Sequence, residues 1–451
     1  MGRFCFLILF IVLGSFGLSH SQSVWTLEKC VEHALRNNLT IRQTYINQEL
    51  SKINHQQNML NFVPTLNANM NYNINRGRNV DPTTNLFTTN DVQSLNGNLT
   101  TNVIVFNGFL LQNSLKQSRF EYLASKSDLE KIKNDVSLNI VASYLQVLFA
   151  QDQVDISKDA LRLSELQRNR SKSLVDAGIL PQGSLLDAES QYSNSELQNV
   201  SAENALSTSL LNLKQLLDLD SVTDFSIEAP IMSEPDNSIL LSGVDYIYQT
   251  ALQGLPQIKA ATLRTNASQK GISIARSGMF PRISVSGGVG TNYSDQARTF
   301  DTTSLSFAEI PFDSQIEDNF YKAAGVNLSI PLFNNFSVKN NIARAKLSYK
   351  NVSIQEDLTK KTVYKEIQQA HSDALGAKNK FDALNKAEKS AKEAFDYANK
   401  KFDAGLINSL EYTNAQNNFT RTKSERTQAL YDYVFKIKVL EFYSGKKLTI
   451  N

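Results

Sequence analysis

The side chains best suited to acid–base or metal chemistry are few and far apart. Of four histidines, His20 lies in an N-terminal leader, and His33, His55 and His371 each stand alone among helical residues. None has the HExxH spacing that brings two imidazoles to one helix face. There is no phosphate-cradling GxxxxGK loop, no GxSxG elbow and no cysteine pair. The 44 acidic residues are spread along helical surfaces, where solvation explains them, and no general acid–base pair stands out. No catalytic residue, cofactor or metal is expected, and the chain does not read as an enzyme.

What remains is architecture. With 46 basic against 44 acidic residues, the 451-residue chain lacks the basic stripe of a nucleic-acid binder, so no nucleic-acid partner is expected. Nine prolines and one tryptophan suit long helices with polar surfaces. The opening MGRFCFLILFIVLGSFGLSHSQ has a basic start, an apolar run and small residues at Ser19 and Ser21, the pattern of a secretory signal peptide cut after Ser21. Its apolar run falls short of the ~20 residues a spanning helix needs. Cys5 leaves with the leader, so Cys30 is the one remaining thiol and no internal disulfide can form. With no later stretch apolar enough to span a bilayer as a helix, any membrane insertion must be as a β-barrel.

The chain repeats itself. Asp176-Ala177-Gly178 matches Asp403-Ala404-Gly405, and the same register pairs Val105-Phe106-Asn107-Gly108-Phe109 with Leu332-Phe333-Asn334-Asn335-Phe336, Tyr122 with Tyr349 and Ile140 with Ile367. Nearer the N-terminus Ala34 pairs with Ala251 and Pro64 with Pro281 at a spacing shorter by ten. Two structural repeats, 22–240 and 241–451, are expected.

Each repeat reads as one order of elements. The first opens with Thr26 as N-cap and Glu28 at the positive helix end, then runs with an interruption near Asn37 and Asn38 to about Phe62, before Pro64. The second opens at Ser242, with Asp245 three residues on as in a capping box, and stops before Pro281. After each proline the apolar period drops to two. Residues 65–75 read TLNANMNYNIN, with Leu66, Ala68, Met70, Tyr72 and Ile74 on one face and asparagines on the other. Further strands are expected at 98–106, 282–293 and 322–333, with polar loops at 76–94 and 294–320 between paired strands. Four strands of this length suit a membrane barrel but cannot close one, and open edges in lipid are costly. Strands must come from copies of the chain: three copies would supply twelve, although the edges alone do not choose three. Long helical hairpins follow at 110–218 and 338–443, the first helix running on the order of 100 Å.

With strand pair, hairpin and duplication in hand, the chain resembles the TolC family of outer-membrane efflux proteins over essentially its whole mature length. The resemblance implies a mainly α fold with a membrane β-barrel: a homotrimer with a twelve-stranded barrel in outer-membrane lipid and an α-helical tunnel in the periplasm. It implies a passive exit duct of a tripartite efflux or type I secretion system, partnered by a periplasmic adaptor and an inner-membrane pump. The hairpin tips, Asp176, Ala177, Gly178 and Ile179 with Asp403, Ala404, Gly405, Leu406 and Ile407, are then the adaptor contacts. The family's two constricting carboxylates fall on Glu411 and Asn414, with Asp187 in the first repeat at the place of Asn414. Its gate-tethering tyrosine and arginine fall on Phe402 and Ile407, which cannot form a polar tether. For Glu411 and Asp187 the plainer reading is a carboxylate in a first helical turn, favoured by the helix dipole. The alternative function, a periplasmic or surface coiled-coil scaffold without a pore, has no use for strands backed by an asparagine ladder.

Overall fold

The computed structural model describes residues 24–80, 85–89, 91–219, 225–230, 232–302 and 306–446. The leader read at 1–21 lies outside them. In chain order the described elements are β1 (Val24–Trp25), α1 (Leu27–Asn37), α2 (Leu39–Leu60), β2 (Thr65–Asn75), β3 (Asn79–Val80), β4 (Phe87–Thr88), β5 (Val92–Asn107), α3 (Leu110–Asp176) and α4 (Gln182–Leu216). There follow β6 (Ser226–Ile227), α5 (Val244–Gly254), α6 (Pro256–Ser277), β7 (Arg282–Ser294), β8 (Arg298–Asp301), β9 (Ser306–Glu309), α7 (Phe312–Asp318), β10 (Tyr321–Ser329), α8 (Ser337–Asp403) and α9 (Ser409–Tyr443). They form two compact units: a hairpin unit of residues through Tyr45, Leu129–Pro256 and Lys360 onward, and a sheet unit of Ile46–Asp128 and Gln257–Thr359. Among the described residues no helix is long and apolar enough to cross a membrane.

In the hairpin unit, side-chain pairs fix the helix directions. On α3 and α4, Ser157 donates to Asn199 at 3.1 Å, and the Arg168 guanidinium lies 4.2 Å from the Tyr192 ring centre, so numbers rise on one helix as they fall on the other. On α8 and α9 the series is Asp373 with Lys436, Phe381 with Tyr433, Glu388 with Arg426 and Phe395 with Phe419. Helix α9 also runs antiparallel to α3: Ser424 donates to Gln153 at 2.6 Å and Tyr431 to Asp152 at 3.0 Å. Burial is the main force raising the Asp152 carboxyl above its usual range, and the Tyr431 hydroxyl pulls against it. Tyr144, Ile140, Leu148, Leu213, Ile247, Ile367, Ile437 and Leu440 are fully buried in this unit's core. The Tyr144 hydroxyl donates to the carbonyls of Trp25 (3.2 Å) and Glu228 (2.7 Å), fastening the parallel β1–β6 pair to α3.

The sheet unit holds an antiparallel four-stranded sheet in the order β10-β7-β5-β2. It is an open sheet with β2 and β10 at its edges, and a single chain closes no barrel. Asn107-Gly108-Phe109 turns β5 into α3 through two consecutive positive φ angles, 66° at Gly108 and 65° at Phe109. A Cβ at Gly108 would sit 2.6 Å from the Ser277 carbonyl, so glycine is required there. Asn335 and Phe336 take the same conformation before α8, at 51° and 59°, with asparagine tolerating the left-handed position. Phe106–Phe109 and Phe333–Phe336 form matching edge-on ring pairs at 5.4 and 5.8 Å.

The structure departs from the sequence reading at several places. Ser242 does not cap a helix: it closes the 3₁₀ turn Ser238–Leu241, and α5 starts after Gly243 without a side-chain cap. The following helix is broken at Leu255, because Pro256 cannot donate to the preceding turn and instead begins α6. Strand β5 starts at Val92 rather than 98, since its ladder with β2 continues to the Asn75–Val92 pair. Strand β10 ends at Ser329 rather than 333, short of Pro331, which has no N–H to give a ladder. The stretch read as the loop 294–320 contains the β8–β9 hairpin and α7, which is pinned to β7 by buried Gln315 hydrogen-bonding both backbone groups of Ser294.

Candidate functional site: the hairpin tips

Both hairpins in the hairpin unit turn in the same way. At the end of α3, Gly178 has φ 73° and its N–H reaches the Val175 carbonyl at 2.8 Å, while Ile179 N–H reaches back to Leu174 at 2.9 Å. At the end of α8, Gly405 has φ 70°, with Gly405 N–H on Phe402 at 3.1 Å and Leu406 N–H on Lys401 at 2.9 Å. This is a Schellman closure, which satisfies the last helical carbonyls and needs a left-handed residue at the glycine. A Cβ at either glycine would meet nothing within 4 Å, so the demand is conformational and not steric crowding. Asp176, Ala177, Gly178 and Ile179 are all exposed, as are Asp403, Ala404, Gly405 and Leu406, while Ile407 is half-buried.

Beyond the turns the two tips differ. Helix α4 starts from Pro181 without a side-chain cap, whereas the Asn408 side chain caps α9 by accepting from Glu411 N–H at 2.9 Å. Glu411 is therefore in the first turn of α9, where the helix dipole favours a carboxylate. Asp187 is not: it lies in the second turn of α4, whose first turn holds no acidic residue, which removes the dipole explanation for it. Asp187 stands as far into α4 as Asn414 stands into α9, and Asp187, Glu411 and Asn414 are all exposed. Gln191 donates to Asn417 at 3.2 Å, setting these stretches of α4 and α9 side by side.

The sequence reading leaves Phe402 without a polar partner, and the structure supplies one. Arg170, two turns before the first tip, pairs with Asp403 at 2.5 Å and places its guanidinium 4.9 Å from the Phe402 ring centre. Phe402 in turn packs 4.9 Å from Tyr412, which is 5% exposed and lies 5.7 Å from Phe395. Burial raises the Tyr412 hydroxyl pKa, with a further push from Asp403 and an opposing pull from Arg170. Arg170 and Tyr412 are the residues missed by sequence reasoning. The available signal for Arg170 was a basic residue near the end of α3 that has no i±4 acidic partner on its own helix.

The three histidines are occupied in local contacts. His33 meets the edge of Trp25 at 5.2 Å, His55 stacks on Tyr122 and hydrogen-bonds Ser118, and His371 Nε2 lies 3.3 Å from the Leu240 carbonyl. No group of three or more metal-ligating side chains occurs among the described residues.

The family model described as "Outer membrane efflux protein" matches residues 30–218 and 247–445. The chain belongs to that family. It is similar to outer membrane protein TolC of Vibrio cholerae, at 22% identity over 71% of this chain and 68% of the relative. Toxin and drug export protein A of Aggregatibacter actinomycetemcomitans is 20% identical over 90% of this chain and 83% of its own length. A crystal structure of CusC superposes with a TM-score of 0.76 at 17% identity, covering 93% of this chain and 92% of that one, and so shares the fold. The protein is therefore an outer-membrane exit duct that extends into the periplasm, of a family of channels rather than catalysts.

Proposed function

We propose that three copies of this chain assemble into a passive trans-periplasmic duct, each giving its four strands to a twelve-stranded barrel in outer-membrane lipid. The observation that carries this reading is the open sheet. Its edges β2 and β10 have unsatisfied backbone groups, which in hydrocarbon cost several kcal/mol each and are met by the neighbouring copy's edge. One face is apolar, with Leu66, Met70, Leu99, Val285 and Val326, and suits lipid; the other is wet. The matched turns at Gly108–Phe109 and Asn335–Phe336 support two duplicated halves, 22–240 and 241–451.

In this reading Asp176–Ile179 and Asp403–Ile407 dock a periplasmic adaptor protein, which links the duct to an inner-membrane pump. Glu411, Asp187 and Asn414 narrow the entrance, and Arg170 supplies the polar tether that Phe402 and Ile407 lack. It holds Asp403 from the other hairpin of the same chain. Arg170 and Asp403 are both solvent-exposed, so the ion pair is weak enough to open when an adaptor engages. The relatives' names include a toxin and drug exporter, and the cargo here, whether drug, metal ion, polypeptide or small metabolite, is set by the pump that delivers it. The test is the detergent-extracted outer-membrane fraction together with planar-bilayer current. A heat-modifiable trimer that forms a channel, with cation block reduced by Glu411→Ala, is expected; a soluble monomer without conductance overturns the reading.

A further inference from the structure

The register of the sheet sorts every strand residue onto one of two faces. On the wet face stand Asn67, Asn69, Asn71, Asn73 and Asn75 of β2, then Ser94, Asn96, Asn98, Thr100 and Asn102 of β5, with the apolar Val92 and Ile104 toward its two ends. The ladder carries this face on to Ser284, Ser286, Gly288, Gly290 and Asn292 of β7 and to Tyr321, Ala323, Gly325 and Asn327 of β10. The four strands contain two charged residues, Arg282 and Lys322. Lys322 pairs with Val289 on the apolar face, and Arg282 occupies the last rung, opposite Ser329 and Asn107. Between that rung and the far end the wet face carries no ionisable group except the Tyr321 phenol, for which Gly290 makes room: a Cβ there would meet the phenol oxygen at 2.5 Å.

We propose that this face is a charge-neutral wall of carboxamides and hydroxyls, which passes polar solutes of either sign and makes no charge selection of its own. This rests on the duct reading above. A charged wall focuses its field within the lumen and concentrates one sign of ion over the other. A carboxamide does not, because it offers two N–H donors to an anion and a carbonyl acceptor to a cation. The five asparagines of β2 recur at alternate residues, about 6.8 Å apart, and Asn69 donates across to Asn98 at 3.2 Å, so a solute meets a continuous row of such groups.

The test uses the full chain in outer membranes with single cysteines placed on the wet face, Asn69→Cys and Thr100→Cys. Each is reacted with a cationic and an anionic methanethiosulfonate of similar size, with rates normalised to a free thiol. The native Cys30 is a silent background, fully buried with its thiol pushed up to about 12. The expected cation-to-anion ratio is within about threefold of one at both positions, and adding Asn71→Asp beside Asn69→Cys raises it above about fivefold. A ratio beyond about tenfold in either direction, without the added aspartate, overturns the neutral wall. If neither wet-face cysteine reacts while Leu99→Cys on the opposite face does, the duct reading itself fails, and the wall with it.

Discussion

The two hairpin tips are built on one plan and held in different ways. Both turn through a glycine near φ 70°, after helices of 67 residues and before helices of 35. Near the first tip, α3 and α4 are joined by Arg168 lying over the half-exposed Tyr192 ring. Near the second, α8 and α9 are wedged together by Phe395, Phe402, Tyr412 and Phe419, with Tyr412 and Phe395 buried. The second tip also carries an asparagine cap and a first-turn glutamate that the first tip lacks. The second hairpin therefore has a fixed aromatic end, whereas the buried side chains beside the first tip, Ser171, Leu185 and Ala188, are small or aliphatic and its one ring, Tyr192, is half-exposed. A joint between them made by one exposed arginine can open without disturbing either turn.

The largest expected effect is at the wedge. Tyr412→Ala removes a buried ring and should lower the local opening free energy of the second tip by about 3 kcal/mol, read by amide hydrogen exchange. Tyr192→Ala at the half-exposed first-tip ring should cost under about 1 kcal/mol, and equal losses would erase the contrast. Next come the turns. Gly178→Val and Gly405→Val should each cost about 1–2 kcal/mol, alike at both tips because neither has a steric neighbour. Both should abolish export in a cell-based assay while outer-membrane levels stay unchanged; export that survives both removes the tips as a docking surface.

Smaller still is the joint. Arg170→Ala should uncouple the tips at about 1 kcal/mol or less, since its ion pair with Asp403 is 40% and 56% exposed. The double change with Asp403→Ala should be no worse than the single, and single-channel recordings should show more frequent opening. Asn408→Ala should fray the start of α9 by about 1 kcal/mol, whereas Pro181→Ala should cost no more than about 0.5 kcal/mol, because α4 has no side-chain cap to lose. Hydrogen exchange at the first-turn amides checks both.

Most of the fold was legible because its signals are local and periodic. The alternation of TLNANMNYNIN gives β2 its two faces, and the proline-free, glycine-free run from Leu110 to Asp176 is one helix. The tip glycines were legible for the same reason, since a left-handed residue between two long helices leaves few choices. The errors fell where non-local contacts decided. Ser242 has the look of an N-cap, but its backbone is taken by the preceding 3₁₀ turn. Residues 294–320 have the composition of a loop, yet the buried hydrogen bonds of Gln315 hold a helix there.

By itself the sequence determined the periodicities: which residues are helix, which strand face is wet, and where the chain turns back, all of which are set by neighbours a few positions apart. Only the tertiary structure decided the strand order β10-β7-β5-β2, the joining of Arg170 to Asp403 and the burial of Tyr412. Arg170 and Asp403 are 233 positions apart, and no local period reports on such a pair. Their meeting depends on where two 67-residue helices end relative to one another, which packing along their length sets.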